Sequence, residues 1–130
     1  MNNLYAPAAR TLQSAEPLLA ALTPIAGPIT ITKDDRRVET LAAGVVGTDV
    51  LVVVEVLEEF YPSGPNGGIA PVIDINAGAL VLNGVPVGFV GALRFGGGVD
   101  TVLTTTPAAG DGTGSCRLTL FRYPAVRYFS

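Results

Sequence analysis

Short stretches of alternating apolar and polar residues fill most of the chain after residue 28, and clusters of Gly, Pro and Asn separate them. A period of two is typical of strands with one buried face, whereas a helix repeats every three to four residues. The 16 Gly and 10 Pro are enough to end each strand after a few residues. We therefore expect an all-β domain of about seven or eight short antiparallel strands, folded as a β-sandwich or small β-barrel.

Individual strands can be placed from this pattern. Ile29–Thr32 and Arg37–Leu41 both alternate, and the polar turn Lys33–Arg36 between them predicts a β-hairpin. Val50–Leu57 is the most apolar stretch, and its β-branched residues fall on both sides, which predicts a central strand with both faces covered. The other strand candidates are Val72–Ile75, Ala79–Leu82, Val85–Phe95, Val99–Thr106 and Cys116–Tyr123.

The first 27 residues differ from the rest, because they are rich in Ala, Leu and Pro and nearly free of β-branched residues. A helix over Ala8–Leu22 has suitable apolar spacing, but Pro17 would break it, so we predict a short helix at Glu16–Leu22. We divide the chain into an N-terminal arm, residues 1–27, and a single β-domain, residues 28–130. The arm either reaches over a neighbouring subunit or lies on its own domain.

Few residues are charged, 15% against 48% hydrophobic, and the net charge is −3. A surface with so few charges is poorly protected against association, so we expect a homo-oligomer or a subunit of a larger assembly rather than a monomer. Lys33 is the only lysine, and no basic run extends beyond Arg36–Arg37, so we do not expect nucleic-acid binding. The N-terminus lacks the pattern of a signal peptide, and Val50–Leu57 is too short to span a bilayer, so we expect synthesis in the cytoplasm without membrane association.

Catalytic chemistry has little support in the residue types present. The sequence contains no His, which excludes Ser-His-Asp and Cys-His arrangements within the chain, and Cys116 is its only cysteine. The adjacent carboxylates Glu58 and Glu59 would point to opposite faces of a strand, so they cannot share acid–base work. Asp74–Asn76 lacks the residue spacing of a calcium-binding loop. Gly96–Gly98 lacks the Lys of a phosphate-binding loop. We predict a protein that is not an enzyme, with no catalytic residue, no cofactor and no metal site. Cys116 is expected to fill the core.

Arginine and aromatic residues are concentrated at the C-terminal end, which has no acidic residue, whereas residues 49–59 carry four acidic and no basic residues. Arginine with aromatic residues is the composition of interface hot spots. The alternative is that these arginines pair with Glu55, Glu58 and Glu59 inside one subunit. The predicted partner interface, which includes the start of the arm, consists of Leu4, Tyr5, Arg117, Phe121, Arg122, Tyr123, Arg127, Tyr128 and Phe129.

A small, His-free β-domain rich in Gly, Pro and Thr, with an Ala- and Pro-rich leading arm, resembles the decoration (cement) proteins of bacteriophage capsids. The resemblance implies a dimeric or trimeric structural protein that bridges major capsid proteins in the virion. Two alternatives are a tail, fibre or spike component of a phage, and a ligand- or carbohydrate-binding β-sandwich module. The absence of Trp and the presence of only four Tyr weigh against sugar binding.

Overall fold

The computed structural model describes residues 9–11, 13–14, 24–62, 67–96 and 98–124. For residues 9–11 and 13–14 it describes only the backbone. The described residues form strands and turns, and no helix is present among them. The predicted all-β, sandwich-like fold is confirmed. The strands are β1 Ala9–Thr11, β2 Gln13–Ser14, β3 Pro24–Ile31, β4 Arg37–Ala42, β5 Thr48–Tyr61, β6 Gly68–Ile69, β7 Val72–Ile75, β8 Gly78–Val81, β9 Val90–Phe95, β10 Thr101–Thr106, β11 Ala109–Gly110 and β12 Thr113–Pro124.

Ten of these strands form two five-stranded sheets, and β6 and β11 form a separate two-stranded ribbon. The first sheet has the order β1-β8-β7-β10-β4, and the second has the order β2-β9-β5-β12-β3. All pairs between the named strands are antiparallel except β1 with β8. The chain passes between the sheets from β1 to β2 on one side and from β3 to β4 on the other.

The core lies between the two sheets and is built from alternate residues of each strand. Val52, Val54 and Val56 of β5 are fully buried there, as are Leu118 and Leu120 of β12. The first sheet covers them with Ile73, Ile75 and Leu103, which belong to the same apolar cluster. Each fully buried side chain of this size contributes about 1.5 to 3 kcal/mol relative to an exposed one, so this layer dominates the stability of the domain.

The prediction that residues 50–57 form a central strand is confirmed. β5 lies in the middle of its sheet, between β9 and β12. Its outward side is also largely covered near Asp49 and Val53, both of which are buried although they point away from the core.

The predicted hairpin between Ile29–Thr32 and Arg37–Leu41 is wrong. β3 pairs with β12 in the second sheet, whereas β4 pairs with β10 in the first, so the turn between them crosses from one sheet to the other. The turn closes locally, since the Asp35 amide donates to the Thr32 carbonyl over 3.2 Å. Alternation shows that two neighbouring segments are strands, but the partner of each is set by long-range burial.

Two further sequence predictions need correction. Residues 9–11 and 13–14 are strands, so a helix that begins at Ala8 is wrong; the short helix predicted at Glu16–Leu22 lies outside the described residues. The predicted strand Val85–Phe95 is reduced to β9, because residues before it form turns. Gly88 has a φ of +90° there, a conformation that ends a strand.

The two-residue turn between β7 and β8 contains a strained alanine. Asn76 and Ala77 have φ values of +52° and +64°, as a type I′ hairpin turn requires at both central positions. Asparagine tolerates this left-handed conformation, whereas an alanine Cβ makes it unfavourable.

We expect Ala77→Gly to raise the free energy of unfolding by about 0.5 to 1 kcal/mol, because relief of the strain outweighs the extra chain entropy of glycine. Ala79→Gly, in the adjacent strand β8, is the matched control and should lower it by about the same amount. Urea unfolding followed by circular dichroism measures both. A destabilising effect of Ala77→Gly would contradict the strained turn.

Cys116 fills the core as expected, since it is fully buried on β12 within the apolar cluster. Burial raises the pKa of its thiol from the ordinary 9.0 to about 12, and the nearby negative charge of Asp35 acts in the same direction. The reactive thiolate is therefore scarce in the folded protein at neutral pH.

We expect iodoacetamide to leave Cys116 of the folded protein unmodified at mildly alkaline pH and to modify it completely in guanidinium chloride. Intact-mass spectrometry distinguishes the two states. Rapid modification under native conditions would show that the β12 core opens readily.

Candidate contact surfaces

Four of the predicted interface residues lie on β12, and strand alternation separates them. Arg117, Phe121 and Tyr123 point away from the core, since the intervening Leu118 and Leu120 point into it. Arg122 has the opposite orientation. The remaining predicted interface residues, Leu4, Tyr5, Arg127, Tyr128 and Phe129, lie outside the described residues.

Arg117 forms an ion pair with Glu55 on the outer face of the second sheet. The two residues are directly opposite each other on β12 and β5, and Arg117 Nη2 lies 2.6 Å from Glu55 Oε1. Arg117 Nε donates to the same oxygen over 3.2 Å. Arg117 is therefore engaged inside its own subunit, as one of the two sequence interpretations proposed. An ion pair this exposed contributes less than about 1 kcal/mol.

A second ion pair on this face joins Asp49 to Arg94 beside Tyr123. Arg94 Nη2 lies 2.7 Å from Asp49 Oδ2, and Arg94 Nε donates to the same oxygen over 2.9 Å. The Arg94 guanidinium carbon is 5.6 Å from the centroid of the Tyr123 ring, within cation–π distance. Burial raises the pKa of Tyr123, and the positive charge of Arg94 opposes this shift. The sequence reasoning missed Asp49 and Arg94 as a pair, because only the order of the strands brings them together.

The apolar residues between these ion pairs are covered. Val53 and Phe121 are each only 8% exposed although they point away from the core. Asp49 is buried as well, and its Oδ1 has no hydrogen-bond partner in the described part of the chain. Phe121 thus offers little accessible surface to a partner in the single chain.

Arg122 connects the end of β12 to the segment after β4. Its Nη2 donates to the carbonyl oxygen of Ala43 over 2.7 Å. The Nε atom is buried and has no partner among the described residues. This contact fixes the end of the sandwich at which the C-terminal residues leave β12.

The outer face of the first sheet is different, because it is open and nearly uncharged. Strand alternation and register place nine side chains on it, and Asp74 is the single charged one among them. Val38 is 77% exposed, and Val72 and Val81 are exposed as well. We call this the valine–threonine face, and its residues are Val38, Thr40, Val72, Asp74, Ala79, Val81, Val102, Thr104 and Thr106.

An open cleft of about 880 Å³ lies at one end of the valine–threonine face, lined in part by Asp74, Asp100 and Val99. Two of its polar side chains have structural partners. Asn76 Oδ1 accepts a hydrogen bond from the Val102 amide over 2.8 Å, and Asp100 Oδ1 accepts one from the Gly44 amide over 2.7 Å. Asn76 and Asp100 therefore use these oxygens to hold the walls of the cleft in place.

A compact polar cluster fixes the start of β4 against β10. Arg37 Nε and Nη2 lie 2.6 and 2.7 Å from the two carboxylate oxygens of Asp35, and Thr105 donates to Asp35 Oδ1 over 3.1 Å. The Arg37 amide in turn donates to Thr105 Oγ1 over 2.9 Å. The Arg37 hydrogen bonds hold the pKa of Asp35 below its usual value, although burial of the carboxylate acts in the opposite direction.

Each described carboxylate for which a partner is known thus holds an arginine side chain or a backbone amide in place. Among the described residues, no three His, Cys, Asp or Glu side chains are arranged so that they could hold a metal ion. The same part of the chain contains no helix long and apolar enough to cross a membrane. No protein-family model, curated protein or solved structure matches this chain.

We expect Asp35→Asn to lower the free energy of unfolding at neutral pH by about 1 kcal/mol, because Arg37 is partly exposed and solvent screens the pair. The folded pKa of Asp35 is depressed, so its contribution is complete above the unfolded value near 3.8 and is lost as the pH falls below it. The difference between wild type and variant should therefore shrink below about pH 4. Denaturant unfolding at several pH values measures it, with exposed Asp34→Asn as the control; a difference that does not depend on pH would contradict the assigned role.

Proposed function

We propose that this chain is a non-enzymatic structural subunit of a virus particle, a capsid decoration protein that binds major capsid proteins after synthesis in the host cytoplasm. The observation that supports this proposal best is the valine–threonine face, an exposed and nearly uncharged sheet surface. Exposed apolar patches with few charges mark contact sites in soluble proteins. The absence of His from the sequence agrees with a role in binding.

The shape of this face suits attachment to a repeating surface. Its side chains are short, so a partner can approach the sheet closely without displacing long charged groups. Contact with Val72 and Val81 would contribute about 25 cal/mol for each Å² of apolar area removed from water. A modest affinity at each position is sufficient on a lattice, because many copies bind side by side and neighbouring contacts reinforce each other.

The C-terminal residues would provide a second contact in this proposal. β12 ends at Pro124, opposite Thr48 at the start of β5, and the chain continues with Arg127, Tyr128 and Phe129. Arginine and aromatic side chains together have the composition of an interface hot spot.

We expect the double variant Val72→Lys, Val81→Lys to bind virus particles at least about tenfold more weakly than wild type, a loss of about 1.4 kcal/mol, because each lysine places a charge in the apolar contact. The matched control is Ile69→Lys, Val87→Lys, at two apolar positions that are also exposed but belong to neither five-stranded sheet. Co-sedimentation with the particles measures binding, and circular dichroism checks the fold of each variant.

Immunogold electron microscopy with an antibody against the protein identifies the particles and the location of the protein on them. Label on the head supports decoration, whereas label confined to the tail or fibres would support the tail alternative instead. The proposal fails if no particle is labelled, or if the protein binds a glycan on an array and the valine substitutions leave that binding unchanged.

Deletion of Arg127–Ser130 tests the second contact separately. We expect weaker particle binding with an unchanged fold, since the deleted residues follow the last described strand. Unchanged particle binding together with an unchanged assembly state would remove the C-terminal residues from the interface.

A further inference from the structure

β4 is an edge strand that no proline protects. It stands at the end of the first sheet and, among the described strands, pairs only with β10. Its six residues contain no proline, and Val38, Glu39 and Thr40 in its middle are exposed. β3, the edge of the second sheet on the same side, carries Pro24 and Pro28 and pairs irregularly with β12. Prolines and irregular pairing keep an edge from pairing with another chain, and β4 has neither along its exposed centre.

The backbone groups that β4 presents to solvent follow from its contact with β10. The Arg37 amide points toward β10, since it donates to Thr105 Oγ1 on that strand. In an antiparallel pair the amides and carbonyls of alternate residues point to opposite sides. The amides and carbonyls of Val38 and Thr40 therefore point away from β10 and are available to a further strand.

We propose that β4 pairs antiparallel with β4 of a second copy, across a two-fold axis at Val38, to form a dimer with one continuous sheet. In an antiparallel pair, the side chains of directly opposite residues lie on the same face of the sheet. A two-fold axis perpendicular to the sheet must therefore place one residue directly opposite its own equivalent in the second copy. This leaves a small number of registers to compare.

Charge selects the register at Val38. An axis at Glu39 would place the two Glu39 carboxylates opposite each other, and an axis at Arg37 would oppose the two guanidinium groups. An axis at Val38 instead places Arg37 of each copy opposite Glu39 of the other, so two favourable cross-strand pairs form. Val38 then meets its own equivalent, which buries two highly exposed valine side chains.

The groups required for these pairs are available. Arg37 uses Nε and Nη2 for Asp35, while its Nη1 has only a long contact of 3.3 Å with Glu39 of its own chain. Glu39 is half exposed and has room to turn toward a second copy. The side chain of Arg37 is already fixed by Asp35, so little conformational entropy is lost when it donates to Glu39 of the second copy.

The pairing has a consequence for the proposed function, although it does not depend on it. Because the two-fold axis is perpendicular to the sheet, the valine–threonine faces of both copies lie on the same side of the dimer. A dimer would therefore present twice the contact surface to a capsid lattice and would bind it with greater avidity.

The test is the mass of the full-length protein by sedimentation equilibrium over a wide range of concentrations. We expect wild type to form a dimer, and we expect Val38→Pro and Glu39→Arg to raise its dissociation constant at least about tenfold. Val38→Pro removes an amide that points toward the second copy. Glu39→Arg replaces both cross-strand ion pairs with pairs of like-charged arginine side chains. Glu59→Arg makes the same charge change at an exposed glutamate on β5 and should leave the dimer unchanged.

A covalent trap tests the register in case Val38→Pro does not fold. We expect Val38→Cys to oxidise to a disulfide-linked dimer, because the two equivalent residues face each other at about 5.5 Å between Cα atoms. Thr30→Cys, on the exposed edge strand β3, is the control and should form no disulfide-linked dimer under the same conditions. A monomeric wild type at all concentrations, dimers unaffected by both β4 substitutions, or equal cross-linking of the two cysteine variants would overturn the proposal. Loss of the dimer would lower the avidity of particle binding but would leave Val72 and Val81 in place on β7 and β8, so their lysine variants judge the proposed function separately.

Discussion

The pairing of β5 with β12 is the interaction on which the rest of the structure depends. These are the two longest strands, and they run antiparallel beside each other from Thr48 opposite Pro124 to Tyr61 opposite Thr113. Their inward valines and leucines form an apolar surface that water would solvate poorly, so a second layer must cover it. The first sheet is that layer, and β9 and β3 extend the second sheet on either side.

The ion pairs among the described residues hold strands and one turn in place. Arg117 with Glu55 and Arg94 with Asp49 join strands within the second sheet, and Arg37 with Asp35 fixes the turn that leads from one sheet to the other. Pairs of this kind contribute little individually where solvent reaches them. Their placement concentrates charge on the second sheet and on the β3–β4 turn, and it leaves the outer face of the first sheet to valine, threonine and alanine.

A β-sandwich with this distribution has two ways to associate, through a face and through an edge. The valine–threonine face offers apolar area without directional hydrogen bonds, which suits a partner that repeats on a lattice. The β4 edge offers backbone hydrogen bonds and a self-complementary pair of charges, which suits a second copy of the same chain. Val72 and Val81 lie on β7 and β8, so the proposed dimerisation through β4 leaves them available for the proposed attachment.

The sequence by itself determined that this chain is all-β and where several strands lie. The period of two along Val50–Leu57, Val72–Ile75 and Cys116–Tyr123 is a local property, and local alternation is sufficient to predict a strand. The same reasoning did not decide whether Arg117 contacts a neighbouring subunit or pairs with Glu55 of its own chain. It also paired Ile29–Thr32 with the wrong strand. Only the tertiary structure decided which strands are neighbours, and with them the Asp49–Arg94 pair, the valine–threonine face and the free edge of β4. Strand order depends on which distant segments bury the most apolar surface together, and no short window of sequence contains that information.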